Sequence, residues 1–251
     1  MAENLLRTSE KVVLFHTCLI NEFFPQAGLA VVKVLEKLGW NVSIPTDQTC
    51  CGQPAFNSGF VKEARKVAKK TIECLLETEG AILIPSGSCA DMMVHQYPKL
   101  FVDDPKFKMQ LDTVLRRCYE FSQFLEKCAP DFQPTPVQKQ KIAYHPSCHL
   151  TRGLGVRNEP INLLKKIDGV ELVNFEDQYE CCGFGGTFAV KEPEISSRMM
   201  QNKLENIAAA GAEKIIGCDM SCLMHLSGGA RRMGLNIKVQ HIAELLLGDE
   251  S

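Results

Sequence analysis

No run of lysine or arginine stands out in this chain, and its net charge is only −2 over 251 residues. A general nucleic-acid binder needs clustered cations for its phosphate contacts, so that class is excluded. Long apolar runs are missing as well. The longest, such as Leu29–Val32 and Leu245–Leu247, fall far short of a bilayer span. Met1–Glu10 is polar and offers no apolar stretch for a signal peptide. A cytoplasmic protein, not integral to a membrane, is expected. No flavin or nicotinamide fingerprint stands out, and hydrophobic and charged contents of 45% and 23% are ordinary for a globular protein. The length allows one large domain or two half-size ones.

What the chain does have is cysteine, twelve in all. In a reducing compartment these point to metal ligands or reactive thiols rather than disulfides. Eight of them form two sets of one design: Cys18, Cys50, Cys51 and Cys89, then Cys148, Cys181, Cys182 and Cys222. The offsets between corresponding members are 130, 131, 131 and 133, and each vicinal pair is followed by glycine, Gly52 and Gly183. Two copies of a four-thiolate set imply two metal centres, and iron–sulfur clusters are the natural candidates. A structural zinc site is the rival. Zinc usually takes tight Cys-x-x-Cys knuckles, whereas these ligands span some seventy residues and include adjacent cysteines, which suits a cluster better.

The segments around the cysteines repeat in the same order. Val12–Phe15 reads as a strand ending before Cys18. Ala27–Leu38 is a helix with Val31, Val34, Leu35 and Leu38 at helical spacing. Asn41–Ile44 is a strand leading to Cys50-Cys51. Phe60–Leu76 is a helix with Phe60, Ala64, Val67, Ala68, Thr71 and Leu75 on one face, and Ala81–Ile84 is a strand before Cys89. The second half follows suit. Ile142–Tyr144 precedes Cys148, Pro160 opens a helix ending near Ile167, and Val170–Phe175 enters the Cys181-Cys182 loop. A helix with Met200, Leu204 and Ile207 on one face follows, and Lys214–Ile216 precedes Cys222.

Alternating strands and helices of this length imply an α/β fold of two tandem βαβ-type repeats with parallel sheets, related by a pseudo-twofold. The expected divisions are a first repeat over 1–128, a Pro- and Gln-bearing linker over 129–140 and a second repeat over 141–251. Every cysteine of a set follows a strand, and the carboxyl ends of strands in open α/β sheets form the binding crevice. The four thiolates of each repeat are therefore expected to converge.

Four cysteines fall outside the sets. Cys74 lies in the stripe of its helix. Cys118 continues a helical stripe from Phe107, Leu111, Val114 and Leu115 towards Phe121 and Leu125, and Cys128 extends it. These three read as core, since a buried thiol behaves as a small hydrophobe. Cys218, four residues before Cys222, is either core or a fifth ligand. Gly183-Phe184-Gly185-Gly186 lacks dinucleotide spacing and reads as a loop bringing amides to cluster sulfurs. His16, His145, His149 and His225 lie within a few residues of the ligands, as proton donors, as a further type of ligand, or as side chains bonding a turn. His145 and His149, flanking Cys148, are the proton-relay candidates and stay outside the ligand set. Phe23-Phe24-Pro25 is either a buried turn or an exposed patch that would suit a partner subunit.

These residues resemble the cysteine-rich CCG-domain family, to which the cluster-bearing component of heterodisulfide reductase belongs. Within it the resemblance is to the lactate-utilisation protein A group of iron–sulfur oxidoreductases. Cys50-Cys51-Gly52-Gln53-Pro54, Pro85-Ser86-Gly87-Ser88-Cys89, Tyr144-His145-Pro146-Ser147-Cys148, Cys181-Cys182-Gly183-Phe184-Gly185-Gly186, Asp219-Met220-Ser221-Cys222 and His241-Ile242-Ala243-Glu244 carry it. The broader family ends each repeat in Cys-x-x-Cys, whereas this chain has Ser86 and Asp219 at the first of those positions. Four thiolates per site then suit one or two ordinary [4Fe-4S] clusters rather than the five-cysteine non-cubane type, with Ser86 and Asp219 as outer or oxygen ligands. The resemblance implies an iron–sulfur oxidoreductase subunit of an L-lactate-to-pyruvate electron-transfer complex. Its partners would be a ferredoxin-like iron–sulfur subunit, a third lactate-utilisation protein and a small-molecule substrate or acceptor. The alternatives are a thiol–disulfide or heterodisulfide reductase-type subunit and a non-catalytic electron relay. No catalytic residue is assigned.

Overall fold

A computed structural model of the chain describes residues 10–248, so nearly all of the polar Met1–Glu10 segment lies outside the described residues. Two compact units divide between Phe132 and Gln133.

The first unit is a four-stranded parallel sheet in the order β2-β1-β3-β4. Strand β1 (Lys11–Leu14) is followed by α1 (Cys18–Phe23) and α2 (Pro25–Lys37). Proline fits the first helical position because its missing N–H would be unpaired there. The apolar face of α2 buries Ala27, Ala30, Val31, Val34 and Leu35, and each large side chain among them contributes about 1.5–3 kcal/mol by leaving water. Strand β2 (Asn41–Ser43), the short α3 (Gln53–Asn57), α4 (Val61–Leu76) and the fully buried β3 (Ala81–Ile84) come next. Burial on both faces is what turns β3 into a continuous apolar run. A short helix α5 (Gly87–Asp91) passes through a π-helical turn into α6 (Tyr97–Leu100). The unit closes with α7 (Pro105–Leu115), β4 (Cys118–Glu120) and α8 (Phe121–Cys128).

The second unit repeats the plan in the order β6-β5-β7-β8, again all parallel. It comprises β5 (Gln140–His145), a π-helical turn over His149–Gly153, α9 (Glu159–Lys165), β6 (Val170–Leu172), α10 (Thr187–Lys191) and α11 (Pro193–Ala209). It ends with β7 (Lys214–Gly217), α12 (Met220–Arg232), β8 (Lys238–His241) and α13 (Ile242–Leu247). Among the described residues no helix is long and apolar enough to cross a membrane.

The structure departs from the sequence expectations in four places. The stripe from Phe107 is not one helix, because Cys118–Glu120 pairs with Ile82–Ile84 as a fourth strand. Arg117 fixes that break: its guanidinium donates to the carbonyls of Gly80 and Leu75 and to Thr78 Oγ1. Phe60 lies just ahead of its helix and is 61% exposed. The strand from Val170 ends at Leu172. Of the three cysteines read as core, Cys118 is buried, but Cys74 and Cys128 are half-buried.

Candidate metal centres

Both cysteine sets sit at the carboxyl ends of their sheets. In the first unit Cys18 opens α1 just beyond β1, Cys50 and Cys51 lie in the loop beyond β2, and Cys89 sits in α5 just beyond β3. In the second, Cys148 follows β5, Cys181 and Cys182 lie in the loop between β6 and α10, and Cys222 sits in the first turn of α12. Parallel strands bring these loops to one edge, as open α/β sheets do for their ligands.

Within each set the sulfurs form a chain. Cys18 Sγ lies 3.9 Å from Cys50 Sγ, Cys50 interacts with Cys51, and Cys51 with Cys89. The second set runs the same way: Cys148 to Cys181, Cys181 to Cys182, Cys182 to Cys222. The inner members Cys51, Cys89, Cys182 and Cys222 are buried. Cys50, Cys148 and Cys181 are half-buried, and Cys18 is exposed.

These contacts sort the thiols. Cys50 accepts S–H donation from Cys18 and Cys51, which holds its pKa down at about 2. Cys181 is held at about 2 by Cys148 and Cys182 in the same way. The donors move the other way: Cys18, Cys51, Cys148 and Cys182 rise because they donate to those sulfurs and because burial disfavours the thiolate. Cys222 falls to about 6, chiefly through Cys182, with His145 also favouring the thiolate.

The glycine of each motif explains why that residue type follows the pair. Gly52 and Gly183 have φ of +83° and +89°, a region where a Cβ is costly. In that conformation each backbone N–H points back to the first cysteine sulfur two residues earlier, at 3.4 Å in both sites. Amides aimed at sulfur stabilise negative charge there and tune whatever metal the sulfur holds.

Ser86 and Asp219, at the positions where the broader family carries a further cysteine, are helix N-caps. Ser86 Oγ accepts from the Cys89 amide at 3.5 Å, and Asp219 Oδ1 accepts from the Ser221 amide at 3.1 Å. A cap holds the first turn of a helix, and Cys89 and Cys222 lie in those first turns. Cys218 is fully buried behind the second site, with its sulfur 3.9 Å from Tyr144 Oη. Phe23 is 67% exposed beyond Cys18.

Several contributors went unread in the sequence. Gln48 donates to the carbonyls of Leu14 and Pro45, and Gln178 donates to the carbonyl of Tyr144, tying each cysteine loop to its central strand. Both glutamines follow an aspartate and precede the vicinal pair, a repetition that would have revealed them. In the second site the buried Lys203 donates to the carbonyls of Asp177 and Gln178, both at 3.1 Å. Burial lowers its pKa, and the nearby Cys182 and Cys181 oppose that shift. Most telling is His145. One of its ring nitrogens, Cys182 Sγ and Cys222 Sγ all lie within 4.8 Å of one another, and all three residues are buried. The flanking His149 is not in that group, and the His225 ring nitrogen instead meets Ser196 Oγ at 3.4 Å.

Residues 12–94 and 142–227, which enclose the two cysteine sets, each match the CCG family, described as a cysteine-rich domain. Lactate utilization protein A 1 of Bacillus mycoides (strain KBAB4) is 44% identical over 240 residues, covering 95% of this chain and 97% of its own. Lactate utilization protein A of Bacillus subtilis (strain 168) is 43% identical over 236 residues, 94% of this chain and 98% of its own. Among solved structures, a hypothetical protein from Helicobacter pylori superposes with a TM-score of 0.68 over 94% of this chain. At 9% identity that likeness concerns the fold alone, and the chain spans 48% of that protein. Two matched cysteine-rich segments and relatives similar from end to end place this chain in the CCG cysteine-rich family, among the lactate utilization A proteins.

Proposed function

We propose that this chain is the iron–sulfur oxidoreductase subunit of a system that oxidises L-lactate to pyruvate. Cys18, Cys50, Cys51 and Cys89 would hold one cluster, and Cys148, Cys181, Cys182 and Cys222 the other. The observation that carries this reading is the recurrence of four converging thiols at the same strand ends of two like sheets, each with a glycine amide on sulfur. The donor set suits the group, because thiolates are the standard ligands of [4Fe-4S] clusters and the S–H groups beside Cys50 and Cys181 favour the thiolate at those two sulfurs. When bound, such a cluster accepts and passes on one electron at a time. The chain's own part is to keep the inner sulfurs dry, to hold the outer ones near the surface, and to fix the loops through Gln48, Gln178 and Lys203. The names of the relatives support lactate as the ultimate electron source. A ferredoxin-like iron–sulfur subunit and a third lactate-utilisation protein would share the path, and the work would be done in the cytoplasm.

One observation favours a second reading. A tetrahedral ion bound to sulfur at about 2.3 Å sets its ligands about 3.8 Å apart, close to the 3.9 Å between Cys18 and Cys50. That distance also suits a plain S–H···S contact.

Iron and acid-labile sulfide, measured on protein purified without oxygen, separate the two. About eight irons per chain with equal sulfide are expected, together with lactate oxidation that appears only when the partner proteins are added. Zinc without sulfide would overturn the redox reading.

A further inference from the structure

The two sites share their sulfur plan but not their surroundings, and the difference centres on one residue. His145 ends β5, the central strand of the second sheet, three residues before Cys148. It is 2% exposed, neither Nδ1 nor Nε2 has a nitrogen or oxygen hydrogen-bond partner, and the ring instead interacts with the Cys222 sulfur. A buried imidazole normally has its ring nitrogens engaged, since leaving polar atoms unpaired away from water is costly. Here a ring nitrogen instead faces two buried sulfurs, those of Cys182 and Cys222, within 4.8 Å.

Space for the ring is provided by its neighbour. His145 pairs in register with Gly217 of β7, so the position beside the ring carries no side chain. A Cβ there would come within 3.2 Å of Leu223 Cδ2. The first unit makes the opposite choices at the same places. Three residues before Cys18 stands Phe15, fully buried, and the end of β3 beside it is Ile84. No nitrogen or oxygen reaches the first sulfur set from that position.

We propose that the second site is a mixed sulfur–nitrogen centre in which His145, beside the buried Cys182 and Cys222, would supply an imidazole nitrogen to one iron of the cluster in place of one of its thiolates, while the first site binds through sulfur alone. Imidazole is a suitable iron ligand, and replacing thiolate by histidine on a cluster iron makes that iron easier to reduce. The second site is thereby the higher-potential of the two. This inference rests on the iron–sulfur reading above.

The test uses full-length protein purified without oxygen, with natural-abundance or [15N]histidine, reduced with dithionite and examined by pulsed EPR alongside iron and sulfide analysis. A strong histidine-nitrogen coupling that changes with the isotope and vanishes in His145→Phe is expected. His145→Phe, which gives the second site the composition of the first, should also release its iron to a chelator about tenfold faster. His145→Cys, which restores a donor, should keep the iron and lose the nitrogen coupling, showing that the loss is not misfolding. Iron and sulfide in place with no histidine coupling, or a coupling that survives in His145→Phe, would overturn the mixed site and leave the iron–sulfur reading standing. A protein with no iron would overturn both.

Discussion

The two units are one design executed twice, and they differ where charge can be felt. Strand order, the 3.4 Å amide-to-sulfur contact, the glutamine clamp and the helix cap before the last cysteine recur in both. Around that constant frame the first unit buries Phe15, Ile84 and, on the helix beyond its cysteine loop, Thr71 and Ile72. The second has His145, Gly217 and the buried Lys203 in the corresponding stretches. The sulfur frame is therefore what builds a site, and the neighbouring side chains are what make one site differ from the other. A buried ammonium and an imidazole stabilise added negative charge far better than phenylalanine and isoleucine do, because the interior screens weakly.

Removing one inner sulfur from each site in turn asks most directly whether the two are independent. Cys51→Ser and Cys182→Ser should each cost about half of the bound iron, and Cys182→Ser should abolish lactate-dependent growth. If either variant emptied both sites, the two would be coupled. The glycines come next. Gly52→Ala meets Val67 only at 3.4 Å, so its cost is that of the left-handed backbone, about 1 kcal/mol. In Gly183→Ala the new Cβ would sit 2.5 Å from the Ser196 carbonyl oxygen, raising the cost to about 3 kcal/mol. Urea unfolding of the two variants measures the difference.

Lys203→Met should destabilise the second unit by about 2 kcal/mol in the same assay, by stranding the Asp177 and Gln178 carbonyls. A change at Thr71 should do less. A smaller effect still concerns the metal-free protein. Cys50 and Cys181, both with pKa near 2, are already thiolate at neutral pH, so their alkylation rates should be flat from pH 6 to 9. Cys74, raised by burial, should react faster as pH climbs, because only the thiolate attacks. Mass spectrometry of the labelled peptides reads each rate, and a flat profile in only one of the two sites would end their equivalence. Smallest of all, Cys74→Ser should leave iron content unchanged and stability within about 0.5 kcal/mol.

The legible part of the fold was the part governed by local pattern. Ala81–Ile84 read as a strand because a run buried on both faces is unbroken, and α4 read as a helix because Ala64, Ala68, Thr71 and Leu75 recur at its period. The β4 strand was hidden because Val114, Cys118, Phe121 and Leu125 keep helical spacing straight across it. Only pairing with β3, a contact distant in sequence, decides against the helix. The cysteine sets were legible from their register. In sequence His145 flanks Cys148 three residues away, which suggests a proton-relay role outside the ligand set. Its actual neighbours are Cys182, from the loop before α10, and Cys222, from the first turn of α12. Laying the repeats over each other, His145 upon Phe15, would have marked it as a departure from the shared plan.

The spread of the cysteines along the chain has a consequence for how the protein is made. Each sulfur set is drawn from three segments spread over some seventy residues, and closing loops of that length is entropically expensive. A zinc knuckle can gather its ion while the chain is still unfolded, and folding then follows the metal. Here the parallel sheet must already be in register before four sulfurs face one another. On the iron–sulfur reading, the inorganic group would therefore enter a finished host, and its delivery would be a separate, later event in the life of the molecule, one that a cell could supply, delay or withhold.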